Sequence, residues 1–94
     1  MSQSGGYRSL QAQYLLSGLT QPFQITADGD TLYISDVGAN VIRVYQVSGG
    51  GLLFLRNIGA SGSGDGQFAG PQEVAIVGND LYVADFGNNR VQRF

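Results

Sequence analysis

The chain has 94 residues, 43% of them apolar, with five basic and seven acidic side chains and a net charge of −2. A chain of this size supports one small domain, stabilised by an efficient core, a staple or a partner. The absence of cysteine excludes disulfides and thiolate metal sites, and the absence of histidine removes the usual zinc ligand and near-neutral general base.

In chain order, residues 1–9, "MSQSGGYRS", are expected to be a flexible segment. They lack the basic, apolar and cleavable parts of a secretory signal, and no run approaches the length of a membrane span. The compartment is left open and no membrane partner is expected. Residues 10–18, "LQAQYLLSG", are apolar enough for a strand. Next come "FQITA", the turn "DGD" and "TLYIS", then "DVGAN" and a third strand, "VIRVYQV". "SGGG" turns the chain into a fourth, "LLFLRNI". After the glycine-rich "GASGSGDGQF", the pattern restarts as "QEVAIV", "GND", "DLYVAD", "DFGNN" and "RVQRF". Short β-branched and aromatic runs punctuated by glycine and asparagine read as strands and tight turns, with those two residues expected to accept positive φ. No stretch carries helical periodicity with caps.

The restart is a repeat. Residues 22–45 align without a gap on residues 71–94, an offset of 49, and seven of the 24 pairs are identical. Average usage gives about one or two matches by chance. In "LYVA", Leu81 and Val83 point one way and Tyr82 and Ala84 the other, so both faces of the strand are apolar. A sheet apolar on both faces must be covered on both, and radial stacking of four-stranded antiparallel units, as in a β-propeller, achieves this.

The run "GSGDGQFAGPQEVAIVGNDLYVADFGNNRVQRF", residues 62–94, resembles the NHL-repeat family of β-propellers. The resemblance rests on the glycine-rich linker, an aromatic, a proline, the first strand, then Tyr-Val-Ala-Asp and Asn-Asn-Arg. It implies that Asp85 and Arg90 bridge the turn between second and third strands, with Asn88 and Asn89 holding its shape. Asp36 and Asn40 are the equivalents in the first copy. There Val41 stands in place of the arginine and cannot pair with Asp36, leaving Arg43 as the substitute.

The expected organisation of residues 10–94 is a two-blade unit: closing strand 10–18, first blade 22–58, and the first three strands of a second blade, 71–94. The resemblance implies ring closure by an N-terminal strand added to the last blade. Propellers need about four to eight blades, so two blades expose apolar faces and an open edge. Head-to-tail joining of copies would cover them, with Tyr14, Leu15 and Leu16 of one chain meeting Val91 and Phe94 of the next. The six blades common in the family point to a homotrimer. The other origin to be weighed is a piece of a longer or engineered protein.

"GASGSGDGQF" is followed by a proline and a strand, which offers phosphate no helix N-terminus and makes it a linker. "DGD", residues 28–30, and Asp65 lack the ligand series of a calcium loop. Gln24 and Glu73 stand two residues after each proline, at an expected channel mouth, and Glu73 is the one weak candidate for a cation. Tyr33 and Tyr82 are expected between blades, and Phe23 and Phe86, which flank loops, are the better candidates for an exposed aromatic ligand platform. The function expected is a self-assembling interaction scaffold that binds protein or peptide through its loops, with no cofactor and no catalytic residue. Nucleic acid is not an expected partner, since the charge balance offers no basic stripe. The alternative is a lyase or hydrolase using a carboxylate-held metal at the channel.

Overall fold

The computed structural model describes residues 15–94. Pro22–Asp28 (β1), Thr31–Asp36 (β2), Val41–Ser48 (β3) and Gly51–Ile58 (β4) form one antiparallel sheet in the order β1-β2-β3-β4. Pro71–Val77 (β5), Asp80–Asp85 (β6) and Arg90–Arg93 (β7) form a second, in the order β5-β6-β7. A 3-10 turn, Phe86–Asn88, separates β6 from β7. The fold is all-β, and its two meandering sheets are consistent with a propeller fragment. Leu15 and Leu16 lie in irregular chain before β1, and Tyr14 falls outside the described residues.

The turns explain the spacing of the strands. Asp28 pairs with Thr31 and Val77 with Asp80, so each first hairpin turns over two residues. Gly29 and Gly78, the first of each pair, both have φ of 60°. That is the pattern of a type II′ turn, in which glycine avoids the strain of a side chain. In the turns after β2 and β6 the positive φ falls on Asn40 (57°) and Asn89 (54°) and not on the glycines. Asparagine tolerates this conformation better than most residues. Gly87 is there for space: its N–H donates to Ala69 O at 2.6 Å, and a Cβ would collide with that oxygen.

The two sheets meet face to face, with β1 and β2 of the first set against β5 of the second. Tyr33, Ile42 and Ile58 of the first sheet pack against Val74, Ile76, Leu81 and Val83 of the second. Phe68, from the linker, fills the space between them and is fully buried. The linker folds around it by a parallel bridge, Ser61 to Phe68, and a 2.7 Å bond from Phe68 N–H to Ala60 O. Burying a phenylalanine contributes about 1.5–3 kcal/mol, so this aromatic is what makes a glycine-rich linker part of the core. Tyr33 thus lies between the sheets, whereas Tyr82 lies on the far face of the second one.

Candidate functional site

Two carboxylates anchor the chain at the same end of each sheet. Asp36 is fully buried and accepts hydrogen bonds from Thr20 N–H at 2.9 Å, Gln21 N–H at 2.7 Å and Arg43 Nε at 2.7 Å. Asp85, also fully buried, accepts from Ala69 N–H at 2.8 Å, Asn88 Nδ2 at 2.9 Å and Arg90 Nε at 3.0 Å. Gln92 Nε2 adds a longer contact to Asp85 at 3.3 Å. Burial alone would raise both pKa values. For Asp36 the N–H donors of Thr20 and Gln21, then Arg43, outweigh it and hold the group below the ordinary 3.8. For Asp85 the donors that outweigh burial are Ala69 N–H, then Asn88 and Arg90. A buried carboxylate with several donors is a structural anion, already satisfied by its own chain.

Arg90 has a second task. Its Nη2 donates to Gly64 O at 2.7 Å and Gln67 O at 2.9 Å, while Gln92 Nε2 donates to Gln67 O at 2.7 Å. Asn88 Nδ2 donates to Gly62 O at 2.9 Å. The turn therefore clamps the linker that carries Phe68. Asn40 does a related job between the copies: its amide donates to Ser61 Oγ at 3.0 Å and accepts from Gly70 N–H at 2.7 Å. Asn89, its equivalent, is exposed. Sequence reasoning missed Gln67 and Gln92. The available signal was that Arg90 and Gln92, two apart on a strand, share a face.

Gln24 and Glu73 differ in what they touch. Gln24 Oε1 accepts from Val74 N–H at 2.9 Å, so Gln24 belongs to the junction between the sheets. Glu73 is exposed on the far face of the second sheet, yet it and Gln24 line one open cleft of about 320 Å³ with Ala75, Tyr82, Ala84 and Val91. Among the described residues no group of three or more acidic side chains is arranged to hold a metal ion. No helix among them is long and apolar enough to cross a membrane.

Phe23, the second residue of β1, is 58% exposed, and Phe86, in the turn after β6, is 68% exposed. Pro22 pairs with Asp36, so Phe23 and the turn after β2 lie at one end of the first sheet. Pro71 pairs with Asp85 in the same way, which puts Phe86 at the matching end of the second. A cleft of about 330 Å³ opens beside Phe86, lined by Gln72, Glu73, Asn89 and Arg90 among others. Of the residues expected at closure, Val91 is 68% exposed on the outer face. Phe94 instead packs its ring on Phe68, with centroids 5.7 Å apart. Leu15 is half exposed and, with Ile25, Leu32, Val47 and Leu52, lines an open cleft of about 760 Å³ on the free face of the first sheet.

Among curated proteins, none gives a significant match to the chain. Residues 68–94 match the family model of the NHL repeat. The matched stretch holds Phe68, the three strands of the second sheet, and Asp85 with all four of its donors. The match and the two antiparallel sheets are consistent with an NHL-repeat fragment.

Proposed function

We propose that this chain is a propeller-type interaction module that closes a ring with copies of itself and binds protein or peptide through the loops at one rim. The observation that supports assembly is a contrast between equivalent positions. Ile42 is fully buried at the junction of the sheets, while Val91, its counterpart 49 residues on, is 68% exposed. Val74 is 5% exposed, while its counterpart Ile25 is 57% exposed. The outer faces are thus the two halves of a junction that already exists inside the chain, and a second copy fits each half.

Three copies would supply six sheets. Residues 10–18 of one copy would then add a strand beside β7 of the next. Leu15 borders the same open cleft as Val47 and Leu52, on the part of the free face over which such a strand would run. At the rim, exposed Phe23 and Phe86 offer apolar anchors, and the cleft beside Phe86 adds Gln72, Asn89 and Arg90 as hydrogen-bonding groups. That mixture suits a peptide segment.

Light scattering coupled to size exclusion tests the assembly. The expected mass is 29.7 kDa, three times the 9.9 kDa of one chain. A mass of 9.9 kDa at all concentrations would overturn the ring.

A further inference from the structure

The two sheets inside the chain are joined by three polar side chains as well as by the apolar core. Gln24 Oε1 accepts from Val74 N–H at 2.9 Å, and Thr26 Oγ1 donates to Val74 O at 2.7 Å. Ser35 Oγ donates to Gln72 O at 2.5 Å. All three satisfy β5, an edge strand of the second sheet, whose outward N–H and C=O groups would otherwise need water.

The 49-residue offset carries this trio onto Glu73, Ala75 and Ala84. These three residues line one cleft on the free face of the second sheet, with Tyr82 and Val91 beside them. The backbone groups they would meet belong to β1, the edge strand of the first sheet: Ile25 N–H and C=O in place of those of Val74, and Phe23 C=O in place of that of Gln72. The substitutions are not equivalent in chemistry. A carboxylate replaces the amide and still accepts a hydrogen bond. Two methyl groups replace the two hydroxyls and donate nothing.

We propose that a second copy of this chain seats its β1 on this face with Glu73 as the acceptor for its Ile25 N–H, and that Ala75 and Ala84 leave its Ile25 and Phe23 carbonyls without donors. The junction between copies is therefore a weaker, reversible version of the junction within a chain. This inference rests on the assembly reading above. The occupant is identified by continuity, since the internal junction shows the repeat-equivalent pair of faces, one from each sheet, already mated.

The test measures the concentration at which assembly is half complete, by sedimentation, for the wild type and three variants whose fold is checked by circular dichroism. The double variant Ala75→Thr/Ala84→Ser copies the residues at 26 and 35 and is expected to lower that concentration at least tenfold, since each restored hydrogen bond strengthens association by about three- to tenfold. Glu73→Ala is expected to raise it by about fivefold or more, while Glu73→Gln, which keeps an acceptor, stays at or below the wild-type value. If the wild type assembles but neither the double variant nor Glu73→Ala shifts the midpoint, the assembly reading stands and this inference falls. If the wild type stays at one chain throughout, both fall. A Glu73→Gln midpoint as high as that of Glu73→Ala would also overturn the acceptor role.

Discussion

Arg43 reaches Asp36 from the third residue of β3, whereas Arg90 reaches Asp85 from the first residue of β7. The Nε–Oδ2 distances are 2.7 and 3.0 Å. Residues two apart on a strand share a face, so either position can aim a guanidinium at the same carboxylate. The two copies have diverged in sequence and kept the ion pair by moving its donor.

This interchangeability predicts a rescue. Arg43→Ala leaves the buried Asp36 without its cationic partner and should cost about 2–3 kcal/mol. The double variant Val41→Arg/Arg43→Gln copies the arrangement of Arg90 and Gln92 and should recover all but about 1 kcal/mol of the loss. Urea unfolding checks this, and a double variant no more stable than Arg43→Ala would show that the positions are not equivalent.

Acid should unfold the protein through the same pairs. Asp36 and Asp85 both have folded pKa values below the ordinary 3.8. Carboxyls depressed in this way contribute their stability in full above the unfolded value and lose it as pH falls through the folded one. The urea midpoint is therefore expected to vary little between about pH 7 and 5 and to fall below about pH 4. Asp85→Asn, less stable at neutral pH, should show a shallower acid decline, because one of the two linked protons no longer distinguishes folded from unfolded chain. An equally steep decline would place the acid sensitivity elsewhere.

The second copy was legible because its signals lie in one run, from Phe68 to Arg90. Strand and turn assignments followed from period-two apolarity and from the glycine–asparagine turns. What the glycines do was less legible: Gly87 is set by the approach of Ala69 O, a contact between segments that no local pattern encodes. Gln24 reads locally as a polar residue at a strand start. Its partner, Val74 N–H, stands 50 residues away and exists only because the sheets meet. Phe68 was visible as a lone aromatic in a glycine-rich linker, but its burial depends on both sheets at once.

Gly87 and Gly29 should separate space from backbone conformation. At Gly87 an alanine Cβ would meet Ala69 O and displace the bond from Gly87 N–H, and the expected loss is about 2–4 kcal/mol. At Gly29 a Cβ meets nothing within 4 Å, so only the backbone conformation of the type II′ turn penalises alanine, at about 1–3 kcal/mol. Thermal unfolding of Gly87→Ala and Gly29→Ala ranks them. A smaller loss at Gly87 would mean that its turn relaxes away from the linker.

Ile42 and Val91 give the sharpest separation of folding from assembly. They are equivalent positions with exposures of 0% and 68%. Ile42→Asp places a charge in the core between the sheets and should prevent folding, since an unpaired buried charge costs more than a small domain's whole margin. Val91→Asp places the same charge on an open face, where it should change the stability of a single chain by about 0.5 kcal/mol or less. In a ring of the proposed kind that face is covered, so the Val91→Asp chain should fold, keep its β-sheet circular dichroism and elute at 9.9 kDa, the mass of one chain. A Val91→Asp protein that still assembles to the wild-type mass would show that copies join through some other surface.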